Sequence, residues 1–250
     1  PPRGSRFPRG RPPPPSLRSR TKRRRVACGG AGRARPSGPT LPSIATRLGW
    51  ETARSLVVEP GSAGWRRPEL TSASGFEIVG DTAVHTGFVI DVVQAQMRDP
   101  EGGMHSRDVV RHPGAVSVLP LHDDDTVTLV RQYRVAPDGD LLEIPAGKAD
   151  VEGEAAVELA RRELAEEVGL EAESCERLAG FFLSPGYSNE WHETFLATGL
   201  SKVPSAADGA EERHMDVLRL GLDEAIEGIA TGRIVDAKTI IALLAAARRG

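Results

Sequence analysis

The chain has 250 residues, 39% of them apolar, and a formal net charge of −3, enough for one or two domains with a true core. Its two cysteines, Cys28 and Cys175, exclude a disulfide framework and a cysteine-rich zinc site. No apolar run approaches the ~20 residues of a bilayer span, and no apolar leader marks secretion, so a soluble, cytoplasmic protein without a membrane partner is expected.

The near-neutral total hides an asymmetry. Residues 1–74 hold 16 of the 32 Lys and Arg and 12 of the 19 Pro, with Glu51, Glu59 and Glu69 as their acids; 16 basic and 32 acidic residues are left for 75–250. Without apolar periodicity the first segment has too little surface to bury to offset the entropy of ordering it, and disorder is expected. Three readings stay open for it. It is an extension without function, including one that is not translated; an organellar transit peptide, although it lacks an amphipathic stripe; or, through Lys22 to Arg25, a non-specific contact for nucleic acid or anionic lipid. No specific nucleic-acid partner is expected.

From residue 75 the pattern becomes that of one ordered domain, 75–250. Phe76 to Val79, Ala83 to Val84 and Phe88 to Gln96 read as strands, with a turn at Gly80-Asp81. Val109 to Val110, Ala115 to Leu121 and Thr126 to Tyr133 follow, the last two joined by a turn of His122, Asp123, Asp124 and Asp125, whose acids read as solvated. Leu141 to Pro145 is a short strand. A helix from about Glu154 to Val168 stops at Gly169, as helices commonly do. Cys175 to Leu183, Glu193 to Ala197 and Val217 to Leu220 are later strands. Helices over Leu222 to Ala230 and Asp236 to Arg249 close the chain, Asp236 as N-cap and Val235, Thr239, Leu243 and Leu244 as the buried stripe. Mixed strands with few helices make an α+β fold.

The most informative stretch is Gly147 to Leu170. Residues three and four apart on a helix share a face, so Glu163, Glu166 and Glu167 converge beside Arg162. Such a cluster is either a solvated acidic face or a site for a hard cation such as Mg²⁺, which shares its oxygen ligands between carboxylates and substrate phosphates.

The stretch resembles the Nudix box. Arg162, Glu163, Leu164, Glu166, Glu167, Gly169 and Leu170 match that pattern one by one, and Glu154 stands eight residues before Arg162 as it requires. Gly147 departs from it, with six residues before Glu154 where the pattern has five; a loop absorbs one residue cheaply. The resemblance spans roughly residues 76–248 and implies the Nudix fold, a mixed β-sheet core sandwiched between helices. It also implies that Glu163 and Glu167 ligate Mg²⁺, or Mn²⁺, with the backbone carbonyl of Ala146. Glu166 helps, and Arg162 orients the glutamates. Glu154, at the helix start, is equally a first-turn acid favoured by the helix dipole.

Further segments resemble the ADP-ribose pyrophosphatase branch. Pro185, in Leu183 to Tyr187, lies 15 residues past the box, and Leu142 to Gly147 and Arg131 to Arg134 look like segments that this branch carries before it. The early strands resemble its N-terminal antiparallel sheet that exchanges between subunits, which implies a homodimer. The implied reaction is Mg²⁺-dependent hydrolysis of ADP-ribose to AMP and ribose 5-phosphate; other nucleoside diphosphate sugars, dinucleotides, or a non-catalytic ADP-ribose sensor are the alternatives. In that branch a loop after the core strands supplies the base, and Glu211, with Glu212 second, occupies that place. Arg213 stands where some relatives carry a further acidic ligand. Arg134 suits a phosphate through its planar fork, Glu190 suits ribose hydroxyls, and Tyr133 and Tyr187 are either adenine-stacking or core residues.

Overall fold

The computed structural model describes residues 69–205 and 214–249. The expected basic segment lies almost wholly outside the described residues, and so do Glu211, Glu212 and Arg213.

Three antiparallel strands come first: β1 (Glu77–Thr86), β2 (Asp91–Arg98) and β3 (Met104–Arg111), in the order β1-β2-β3. The expected turn at Gly80-Asp81 is instead inside β1, where the register against β2 slips between Ile78 and Gly80. Glycine in a strand often marks such a bulge. The chain reverses at Gly87, whose N–H donates to the Ile90 carbonyl at 2.9 Å, so Phe88 to Ile90 form the turn and not a strand.

The core is a mixed sheet of β4 (Ala115–Pro120), β7 (Ala146–Lys148), β8 (Leu170–Phe182) and β9 (Trp191–Lys202), in the order β7-β4-β9-β8. β4 and β9 run parallel, pairing Ala115 with His192 through Pro120 with Ala197; the other pairs are antiparallel. Beside it stands a second antiparallel sheet, with β5 (Thr126–Arg134) between β6 (Gly139–Glu143) and β10 (Asp216–Gly221). The hairpin turn before β5 is where the sequence places it, with Asp125 at φ 56° and the His122 N–H on the Thr126 carbonyl.

Helix α1 (Ala156–Val168) covers one face of the mixed sheet. Leu159, Ala160 and Leu164 bury against Val116, Val118, Phe195 and Ala197. It ends at Gly169, φ 63°, whose N–H caps the Ala165 carbonyl; a side chain there would meet the Val203 carbonyl as well as an unfavourable backbone. On the other face, α2 (Leu222–Ala230) and α3 (Ala237–Ala247) bury Ala225, Ile226, Ala242 and Leu243 against Leu119, Leu129 and Ile144. Period-two alternation along β4 thus feeds two cores: Val116 and Val118 to one, Leu119 to the other.

Asp236 caps α3, accepting from the Thr239 N–H at 3.0 Å. The expected stripe needs correction at its first member. Val235 is 58% exposed because it precedes the cap; Thr239, Ala242, Leu243 and Ala246 form the buried face, together with Lys238. The expected helix start is also too early. Glu154 precedes Ala155, the extended N-cap, and lies outside the helix. No helix among the described residues is long and apolar enough to cross a membrane.

Candidate functional site

Helix α1 aims its polar face at the β6–β7 connection. The Glu167 carboxylate is buried and accepts the Ala146 N–H at 3.1 Å, and a Cβ on Gly147 would collide with the Glu163 carboxylate. Only glycine lets that glutamate lie against the backbone. The turn before α1 takes up the additional loop residue: the Glu154 N–H closes on the Val151 carbonyl, and Gly153 adopts φ 81°.

That turn delivers Glu154 to Arg162, which it grips at both oxygens, each at 3.1 Å. The other terminal nitrogen of Arg162 reaches Glu163 and Glu166, both at 3.2 Å, and Asp150 lies 3.9 Å from the nitrogen that meets Glu154. The bond from Arg162 lowers the pKa of Glu154, and the glutamates raise that of the guanidinium. Arg162 is therefore the hub of the cluster. Glu154 is its fork partner and not a helix-dipole acid.

Four carboxylates within 4 Å of one guanidinium leave three formal negative charges in excess, with Glu167 beside them. Among the described residues no three His, Cys, Asp or Glu side chains are drawn together as a ready ligand set. The glutamates are turned to Arg162 and to the Ala146 N–H instead. The donor chemistry nevertheless fits Mg²⁺ or Mn²⁺, since every group is a hard oxygen and the excess charge calls for a cation.

The substrate-side candidates fall into separate places. Pro185 and Tyr187 line a cleft of about 280 Å³ with Leu70, Val109, Arg111 and Asn189. Tyr187 is 59% exposed and Tyr133 45%, so neither belongs to the core. Tyr133 does not line the Tyr187 cleft; it donates to Asp138 at 2.6 Å. Glu190 lies 3.8 Å from His192 Nδ1, too far for a hydrogen bond but near enough for attraction. Burial opposes ionisation of Glu190, but His192, His112 and Lys238 together hold its pKa below the usual value. His192 is itself buried, which lowers its pKa, and its Nε2 meets the Ser117 hydroxyl at 2.9 Å.

Arg134 forks onto Glu143 with Nε at 2.8 Å and Nη2 at 2.7 Å. Glu143 is 1% exposed and also bonds Lys238 Nζ, which in turn lies 3.0 Å from Asp236. Sequence reasoning missed Glu143, Asp236 as a charge partner, and Lys238. The available signals were one acid inside the apolar run Leu141 to Pro145 and one lysine in the apolar first turn of α3.

The family model of the NUDIX domain matches residues 111–241, just over half of the chain. The chain belongs to the Nudix family. It is 42% identical over 155 residues to the methanol dehydrogenase activator of Bacillus methanolicus, covering 61% of this chain and 83% of that protein. It is 37% identical over 170 residues to ADP-ribose pyrophosphatase of Mycobacterium tuberculosis, covering 68% and 82%. The solved structure of an ADP compounds hydrolase shares the Nudix fold, with a TM-score of 0.62 and 22% identity over 72% of this chain and 96% of that one.

Proposed function

We propose that this Nudix protein is a pyrophosphohydrolase that cleaves ADP-ribose to AMP and ribose 5-phosphate with Mg²⁺, or Mn²⁺, as cofactor. The observation that carries the reading is the excess of carboxylates gathered on Arg162 and against Ala146 and Gly147. The 37% identity to an ADP-ribose pyrophosphatase supports the choice of substrate.

Glu163 and Glu167, with the Ala146 carbonyl, would hold the metal, and Glu166 supports them. A bound divalent cation neutralises charge on the phosphate oxygens. Arg162 keeps the glutamates oriented through its hydrogen bonds to Glu154, Glu163 and Glu166. Arg134 spends two nitrogens on Glu143 and offers its outer edge to a phosphate oxygen. Pro185 and Tyr187 shape the cleft that receives the nucleoside, Tyr133 supplies a second aromatic face, and Glu190 accepts from ribose hydroxyls. Water attacks one phosphorus, the bridging P–O bond breaks, and the water proton goes to a base. Glu211 is that base, with Glu212 as the second choice. A general base contributes ~10²–10⁴-fold.

Phe76, Ile78, Val79 and Val84 leave apolar surface exposed on and beside β1, which supports a homodimer built through the N-terminal sheet. Residues 1–74 form a basic extension to the Nudix domain of 75–250, and the protein works in the cytoplasm.

Turnover of ADP-ribose, ADP-glucose, GDP-mannose, NADH and diadenosine polyphosphates with Mg²⁺ tests the proposal. ADP-ribose should give AMP and ribose 5-phosphate fastest. The name of the Bacillus methanolicus relative favours a second reading, an effector of another enzyme. Binding of ADP-ribose without turnover would select it.

A further inference from the structure

Lys238 is misplaced by the ordinary rules of helices. It stands in the first turn of α3, where the helix dipole disfavours a cation, and it is 7% exposed on the face that α3 buries. Burying an ammonium is costly unless it is paired, and Lys238 is paired twice, with Glu143 and Asp236. Glu143 is the carboxylate that holds the Arg134 fork. Burial alone would raise the pKa of Glu143, but its bonds to Arg134 and Lys238 outweigh it and keep the carboxylate ionised.

We propose that Lys238 is a positioning residue for substrate phosphate, acting through Glu143 on Arg134; this rests on the hydrolase reading above. The geometry gives it two effects. Glu143 Oε2 is shared between Lys238 and Arg134 Nη2, which fixes the carboxylate plane and hence the plane of the guanidinium. The ammonium also offsets the Glu143 charge, so that Arg134 presents positive potential at its exposed edge. Thr239, the next residue of α3, accepts the Ile144 N–H at 2.9 Å and holds the strand end beside Glu143. The C-terminal helix thereby sets both the phosphate-facing arginine and the start of the Ala146 connection.

The test is a double-mutant cycle on the full chain, reading KM and kcat for ADP-ribose with Mg²⁺. Lys238→Met should raise KM about tenfold, the effect of one charge-assisted hydrogen bond, with kcat little changed. In an Arg134→Met background the same substitution should leave KM unchanged, because the residue it positions is gone. Lys238→Arg, which keeps the charge, should recover most of the loss. Equal effects in both backgrounds, or a fall in kcat at constant KM, would overturn the proposal. Should Lys238→Met fail to fold, Glu143→Leu combined with Lys238→Leu removes both charges together. Its KM should rise as Arg134 loses its clamp, and an unchanged KM would also overturn the proposal. Calorimetric binding of ADP-ribose without metal separates the two claims. A wild-type chain that binds in this way but does not turn over ADP-ribose when Mg²⁺ is added refutes the hydrolase reading alone. A Lys238→Met chain that binds as tightly as wild type refutes the positioning role alone.

Discussion

The two faces of the mixed sheet carry opposite kinds of electrostatics. On the α1 side, Asp150, Glu154, Glu163 and Glu166 surround the single guanidinium of Arg162, with Glu167 turned to the backbone. On the α3 side, Glu143 and Asp236 are matched by Arg134 and Lys238. A set paired nearly charge for charge fixes geometry and leaves little charge for an ion, even with Glu190 ionised beside it. An unbalanced set is incomplete without one. On the proposed reading, the difference separates the cluster that would hold a cation from the pairs that would hold Arg134 still.

Substitutions on the two faces should therefore fail differently. The largest effect is expected for Glu163→Gln and Glu167→Gln, whose turnover should fall by more than the ~10–100-fold that the loss of an outer-shell partner costs. Glu154→Gln should cost much less, since Glu154 acts only through Arg162. Steady-state rates of folded variants check this, and equal small losses would break the comparison.

Across the sheet, Glu143→Leu should instead destabilise the fold, because it leaves the buried Lys238 with Asp236 alone and removes the carboxylate that holds Arg134. A loss of ~3–5 kcal/mol is expected in chemical denaturation, and a stable variant would mean that the network does not carry the α3 contact. A smaller loss, ~0.5–2 kcal/mol, is expected for Asp236→Ala at the α3 N-cap.

The smallest effect is a pH dependence on the α3 side. His192 is buried with a lowered pKa, so the unfolded chain takes up a proton that the folded chain resists. Stability from the neutral ring is complete above the unfolded value of about 6.5 and declines as pH falls below it. Denaturation midpoints between pH 7 and 5 should fall for the wild type and fall less for His192→Asn. Parallel curves would assign the slope to other groups.

The α1 half of this contrast was legible in the chain. The period of α1, the left-handed Gly169 and the cap at Asp236 are local signals, and the structure places all three as expected. The illegible parts depend on distance. Glu143 meets Lys238 across 95 residues, and a lysine in an apolar helix announces neither its burial nor its partner. The turn at Gly80-Asp81 fails for a related reason: a glycine-acid pair signals a reversal, yet tertiary pairing with β2 turned it into a bulge. Glu154 was legible by spacing, but its fork on Arg162 needed the turn at Gly153.

Titrating Mn²⁺ into the metal-free chain, followed by water-proton relaxation, tests most directly whether the α1 face is the incomplete one. The wild type and Glu143→Gln/Lys238→Met should bind the ion alike, and Glu163→Gln/Glu167→Gln should lose it. Undiminished binding in that last variant would contradict the assignment of the cation to α1.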